Sequence, residues 1–301
     1  MKKSTAIALA AFTIACLSAI AALHFSGDDQ RTLKTDETRI PLRNNNEAAP
    51  KSWPNIERLV SERKISAHAA RPEMGRAFSI NRSGPMRPSG NALDYAESLF
   101  QAAQSGDAVA SYDIFLATLD CSNQLRNVGK SYQEIDAGEK STPMKNTAAE
   151  DRKSLLECEG LLTSDKFQKT NWLEKAAQQG SIEAMIMYPI NPDHVLGDPQ
   201  EYAMKPELVQ KWKDDSINYL KLAAGLGSTD ALYSLSDIYE NGVIAPADPV
   251  EAYAYRLAAI KSTRAADSQV DQIELAKNLT DSQREQAKSR SQQIIINCCS
   301  H

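Results

Sequence analysis

Nine residues recur three times in this chain of 301, and their spacing limits what it can fold into. "AAQSGDAVA" stands at 102–110, "AAQQGSIEA" at 176–184 and "AAGLGSTDA" at 223–231, all following A-A-x-x-G-x-x-x-A. Around the third copy, Tyr219, Leu220, Ala223 and Ala224 fall on one stripe of a helix. Gly227 then stands where a left-handed residue would end that helix. "TDALYSLSDIYENG" restarts the pattern, with Ala231, Leu232, Leu235, Ile238 and Tyr239 inward and Gly242 as the next terminator. Paired alanines let two antiparallel helices approach closely, glycine reverses the chain, and the alanine four residues on faces the pair. The predicted contacts are Ala102, Ala103 and Ala110 around Gly106, Ala176, Ala177 and Ala184 around Gly180, and Ala223, Ala224 and Ala231 around Gly227. Such a hairpin cannot bury its apolar face alone, so hairpins must stack.

Further start signals fall where the scheme needs them. Asp248 is an N-cap before Pro249 at the first helical position, with Glu251 completing a box-like pair. From Ala223 to Ala258 the step is one helix-turn-helix unit. A helix is expected from Pro206, and Thr280 with Gln283 forms a capping box for a last helix closing the stack. Residues 122–147 are polar and read as irregular, with a helix resuming at "AAEDRKSLLECEGLL".

With these residues in view, "WLEKAAQQGSIEAM" and "YLKLAAGLGSTDALYSLSDIYENG" running into "DPVEAYAYRLAA" resemble Sel1-like repeats, a subclass of tetratricopeptide-type helical repeats. Residues 216–259 match nearly throughout. Residues 171–187 match the first helix and turn until Pro189 interrupts, and 96–119 match the core with Ile114 and Thr118 at the Leu and Tyr positions. The resemblance implies an all-α fold, an α-solenoid of antiparallel hairpins over 91–296, and an adaptor or assembly role in the bacterial cell envelope. It also brings a rival, because some cysteine-rich secreted members act on cell-wall-related small molecules. Those carry a cysteine pair in nearly every repeat, whereas here Cys121 and Cys158 alone suit that pattern. A purely structural spacer is the third reading.

The N-terminus points to export. Lys2 and Lys3 precede an uncharged run reaching Phe25, long enough to cross a bilayer as a helix. Three readings of 1–25 stay open: a signal peptide cut before Ala22, an anchor retained over 4–25, or a lipoprotein leader using Cys16. Each places the rest in the periplasm, with membrane attachment if the segment is kept. Residues 26–90 read as a flexible tether rich in Asn, Pro, Gly, Ser and Arg, with one short helix around Pro54–Ala70 where Ile56, Leu59, Val60 and Ile65 share a face. The stretch 28–90 carries 12 Lys and Arg against 8 Asp and Glu; beyond Gly90 the balance is 20 against 31. An acidic repeat region argues against nucleic acid as partner, leaving an envelope protein or peptide.

Site residues follow from chemistry and compartment. Cys121 and Cys158 are expected to pair in an oxidising environment. "NCCSH" at 297–301 reads as a frayed tail or mixed disulfide rather than a metal set of Cys298, Cys299 and His301, because adjacent cysteines rarely reach one tetrahedral ion. The four histidines, His24, His68, His194 and His301, are scattered. No Ser-His-Asp order, H-E-x-x-H, P-loop or G-x-G-x-x-G is present, so no catalytic residue and no cofactor is expected. The long 189–205 connection is the candidate binding loop, offering Tyr188, His194, Tyr202 and Met204 with Trp212 and Trp172 flanking. Tyr233, Tyr239, Tyr253 and Tyr255 read as core and groove wall.

Overall fold

A computed structural model describes residues 54–136, 147–264 and 274–300. The leader, the first half of the expected tether, residues 137–146 of the polar insert and His301 lie outside the described residues. What is described is mostly helical. In chain order come α1 (Pro54–Ser61), a hairpin of β1 (Ala70–Pro72) and β2 (Phe78–Ile80), α2 (Ala92–Gln104), α3 (Ala108–Asp136), α4 (Thr147–Leu162) and α5 (Asp165–Gln168). Then follow α6 (Trp172–Gln179), α7 (Ile182–Met187), α8 (Pro192–Leu196), α9 (Pro199–Tyr202), α10 (Pro206–Gly225), α11 (Thr229–Asn241), α12 (Pro249–Ser262) and α13 (Asp281–Cys298). Among the described residues no helix is long and apolar enough to cross a membrane.

Each copy of the nine-residue pattern is one turn between two helices, α2–α3, α6–α7 and α10–α11, and the hydrogen bonds explain the letters. The first alanine's carbonyl accepts from the residue after the glycine: Asp107 N–H to Ala102, Ser181 N–H to Ala176 and Ser228 N–H to Ala223. The second alanine's carbonyl accepts from the glycine itself at Ala103, Ala177 and Ala224. This pair of bonds is the Schellman arrangement, which needs a left-handed residue at the glycine position. Gly106, Gly180 and Gly227 supply it with φ of 98°, 96° and 103°.

The residue after the glycine, outside the A-A-x-x-G-x-x-x-A letters, starts the second helix. Asp107, Ser181 and Ser228 each accept the N–H of the last alanine of the pattern, at Ala110, Ala184 and Ala231. That satisfies one orphan donor of a new helix in each case. Ala102 is half-buried, and every other alanine of the three sets is at most 5% exposed. Small side chains at these places leave no room between the paired helices.

The helices pack largely against their chain neighbours: α2 on α3, α6 on α7, α10 on α11, α11 on α12 and α12 on α13. Between hairpins, α3 lies against α6 and α7 against α10. Gln179 knits the first such seam, accepting from the Ser111 hydroxyl and donating to the Ala103 carbonyl. Asp248 caps α12 through the N–H groups of Val250 and Glu251, and Thr280 with Gln283 forms a capping box on α13.

Two expectations need correction. Residues 122–136 are not irregular: they prolong α3 to 29 residues, a polar helix held beside α4 by the Cys121–Cys158 disulfide, Cα atoms 5.3 Å apart. The second half of the presumed tether is folded. Residues 54–90 place Leu59, Ile65, Ala69, Ala77 and Phe78 in the core at 1% exposure or less. Their apolar residues are few and without period, which is why the segment looked unable to offset its ordering entropy. It borrows its burial from the hairpins.

Candidate functional site

Residues 54–90 form a strap that crosses the hairpin turns, and its contacts repeat as the turns do. At the second turn, the Lys64 carbonyl accepts from the N–H of Ile182, two residues past Gly180. The Ser66 N–H donates to the carboxylate of Glu183, three past that glycine, at 3.0 Å. At the third turn, the Phe78 carbonyl accepts from the hydroxyl of Thr229, two past Gly227. The Ile80 N–H donates to Asp230, three past that glycine, at 2.7 Å. The carbonyl before each glycine also receives a strap side chain, Lys64 Nζ on Gln179 and Asn55 Nδ2 on Leu226. Two strap tripeptides that differ at every matching position, Lys-Ile-Ser and Phe-Ser-Ile, are thus read in one main-chain register. The first turn has Val109 at the acid's place; there the strap contributes Arg63, paired with Asp107 at 2.8 Å.

Arginines fasten the strap on either side of its exit. Arg82 bridges Asp113 at 2.6 Å and the buried Glu183 at 3.1 Å, and its guanidinium faces the Tyr112 ring. Burial pushes the Asp113 and Asp230 carboxyls above their usual range; Arg82 opposes the shift at Asp113, and the Ile80 N–H opposes it at Asp230. Arg87, itself buried, donates to the carbonyls of Pro88 and Gly90 and pairs with Asp120 and Glu157 beside the Cys121–Cys158 disulfide. Asp120, Cys121 and Cys158 cluster like a ligand set, but the two sulfurs are bonded to each other and the carboxylate faces Arg87.

At the far end, the strap's tip meets the C-terminus. Cys298 and Cys299 are joined to each other and buried, and the Cys299 carbonyl accepts the Arg76 N–H. The expected frayed tail is therefore a docked one, since α13 carries it against Gly75, where a Cβ would stand 2.1 Å from that carbonyl oxygen.

The loop residues singled out from sequence separate into core and surface. Tyr188 and Trp212 are buried, joined through the Trp212 indole N–H to the Tyr188 carbonyl, and Tyr188 meets Tyr219 edge-on. Trp172 is likewise buried, donating to the Phe167 carbonyl. These rings belong to the core, so Tyr188 and Trp212 are not part of an exposed loop surface. His194 is half-buried with its ring edge-on to Phe115, and burial together with Arg126 lowers its pKa. Tyr202 is half-exposed with its hydroxyl on Asp193. Tyr239 stacks on Tyr255, and Tyr253 is buried.

A cavity of about 380 Å³ opens where α1 and the residues after it meet the α6–α7 turn and the end of α10. Leu59, Met185, Leu222 and Leu226 make its walls, and Glu62, Lys64 and Lys221 stand around it. Its size lies at the small end for ligand sites. Glu62 is paired with Arg58 and Lys64 with the Gln179 carbonyl, so two of the three charged groups are turned to other partners. Leu222 remains 55% exposed beside it. The arrangement suits an apolar side chain more than paired acid–base chemistry. The sequence matches no family model and no curated protein.

Proposed function

We propose that this chain is a non-enzymatic scaffold of the bacterial cell envelope: a Sel1-like α-solenoid, exported or membrane-anchored, that holds a protein or peptide partner on its helical surface. The observation that carries the reading is the shared construction of three hairpins, each with the same glycine turn, a side-chain cap from the residue after the glycine and small alanines at the seam, packed in chain order. Repeats that contact mainly their neighbours give extended surfaces of the kind binding proteins use. The strap covers much of the turn side, and the surface offered to a partner lies at its edge, where α1 and the residues after it meet the α6–α7 turn and the end of α10. The exposed Leu222 and the aliphatic cavity beside it are the best-formed contact there. An aliphatic anchor entering a pocket is a common centre for a protein interface.

A photo-crosslinking residue placed at Leu222 in the intact, exported chain tests this. A discrete adduct that disappears when Lys221→Glu and Met185→Trp alter and fill the cavity supports the scaffold. Absence of any adduct at Leu222, or turnover of a cell-wall fragment by the purified chain, sinks it.

A further inference from the structure

We propose that the strap is exchanged between copies of this chain, so that residues 54–82 of one molecule dock on the hairpin turns of a second, and the partner of the turn side is the protein itself.

Three observations lead there. First, the turns read main-chain atoms: a carbonyl at one strap residue and an N–H two residues on, with different side chains at the two places. A second copy presents those atoms in the same order, together with the same Arg63 and Arg82 for Asp107, Asp113 and Glu183. Second, the strap buries Leu59, Ile65, Ala69, Ala77 and Phe78 almost completely. Release into water would expose all of them, so an open form with an empty turn side is heavily disfavoured. Exchange keeps every one buried, which is why swapping an identical element is a low-cost route to a dimer.

Third, the connection has a hinge in the right place. Arg82 fastens the strap to α3 and α7, and Arg87 fastens the following segment to α3 and α4. Between them Ser83, Gly84, Pro85 and Met86 are all exposed. Gly84 is at a φ of 99°, and a side chain added there would meet nothing within 4 Å. Opening these four residues toward extended backbone redirects the strap: Arg82 leaves its own Asp113 and Glu183 for those of the second copy, while the Arg87 anchor to α3 and α4 stays in place. A hinge of four residues spans roughly 14 Å when extended.

Charge complementation tests the proposal on full-length chains. One copy carries Arg82→Glu; the other, differently tagged, carries Asp113→Lys with Glu183→Lys. Within either copy alone, strap and turns now repel, and a lowered thermal midpoint is expected. In an exchanged pair both junctions are matched: the carboxylate introduced by Arg82→Glu meets the two new lysines, and the unaltered Arg82 of the other copy meets Asp113 and Glu183. Co-expression is therefore expected to give a one-to-one complex in which both tags co-purify and part of the lost midpoint returns, the Ser66 N–H at one junction staying without its Glu183 acceptor. Deleting Ser83–Met86 in two tagged chains otherwise unaltered is expected to raise the fraction that co-purifies, because a short hinge prevents the strap from folding back. Two tagged copies that never co-purify, in the complementary pair and with the hinge deleted, overturn the proposal. So does co-purification without recovery of the midpoint, since the copies would then be meeting through some other surface.

Discussion

The amide of Ile80 donates to the Asp230 carboxylate at 2.7 Å, and fourteen residues upstream the amide of Ser66 makes the same bond to Glu183 at 3.0 Å. Both acids stand three residues past a left-handed glycine, in the first turn of a second helix. One repeat position thus has one task, holding an extended segment that begins far from it in sequence.

Removing that acceptor separates its two properties. Asp230→Leu leaves the part-buried Ile80 N–H without a partner and should cost about 1–3 kcal/mol. Asp230→Asn keeps an acceptor oxygen and loses a charge that burial disfavours, so it should change stability at neutral pH by about 0.5 kcal/mol or less. The sign of the pH dependence follows from the raised carboxyl. The folded chain holds that proton more tightly than the unfolded one, so the contribution is largest below the ordinary aspartate range and falls as pH rises through the raised value. Denaturant melts from pH 3 to 7 should show the unsubstituted chain gaining on Asp230→Asn as the medium is acidified. A gain in the opposite direction refutes the assignment.

Two glycines with nearly the same backbone angle should respond differently to alanine. Gly106 and Gly227 both lie near φ 100°, and each pays the left-handed penalty of about 1–2 kcal/mol when a side chain is added. A Cβ on Gly106 meets nothing within 4 Å, whereas one on Gly227 meets the Arg76 carbonyl oxygen at 2.7 Å. Gly227→Ala is therefore expected to lower the thermal midpoint distinctly more than Gly106→Ala. Equal losses would mean that the strap does not press on the third turn.

The hairpins were legible because their signals are local. Glycine ends a helix within five residues of the alanines it serves, and Asp248, Pro249, Thr280 and Gln283 act on the helix they begin. The strap was not legible, because the partners that hold it to the hairpins lie outside it and several are more than a hundred residues away: Ser66 with Glu183, Ile80 with Asp230, Asn55 with Leu226. Asparagine, proline and arginine in 54–90 signalled a tether by composition, and nothing nearby in sequence shows Phe78 an apolar neighbour. Tyr188 and Trp212 misled for the opposite reason: aromatics on a long connection suggest a surface, yet Pro189 and its 3₁₀ turn fold Tyr188 inward.

Reduction should loosen the α3–α4 pair. The Cys121–Cys158 bond closes a separation of 37 residues, for which chain entropy predicts a contribution of about 4 kcal/mol. Cys121→Ser with Cys158→Ser should lower the thermal midpoint accordingly, and alkylation of the denatured chain should label neither cysteine until reductant is added. Labelling of both without reductant removes the bond from the account.

The alanine seam admits a direct probe in Ala224, which is 5% exposed between α10 and its neighbours. Ala224→Leu adds a branched chain where none fits and should cost about 1–3 kcal/mol through overpacking. Leucine at Gly225, exposed and with nothing within 4 Å of an added Cβ, controls for the added bulk. A thermal midpoint unchanged at Ala224 and lowered at Gly225 would reverse the assignment of the buried face.

The boundary of the folded body is the broadest of these tests. A fragment starting at Asn91 keeps every hairpin but loses the five strap residues that fill the core, Leu59, Ile65, Ala69, Ala77 and Phe78. At about 1.5–3 kcal/mol for each of the three large side chains, that loss reaches roughly 5–9 kcal/mol, comparable with the whole stability of an ordinary domain. It also leaves Glu183 and Asp113 without Arg82. The 91–301 fragment should therefore lose cooperative unfolding and bind a hydrophobic dye, while one beginning at Lys51 melts in a single sharp transition. Two sharp transitions of equal midpoint would show the strap to be an ornament on hairpins that stand alone.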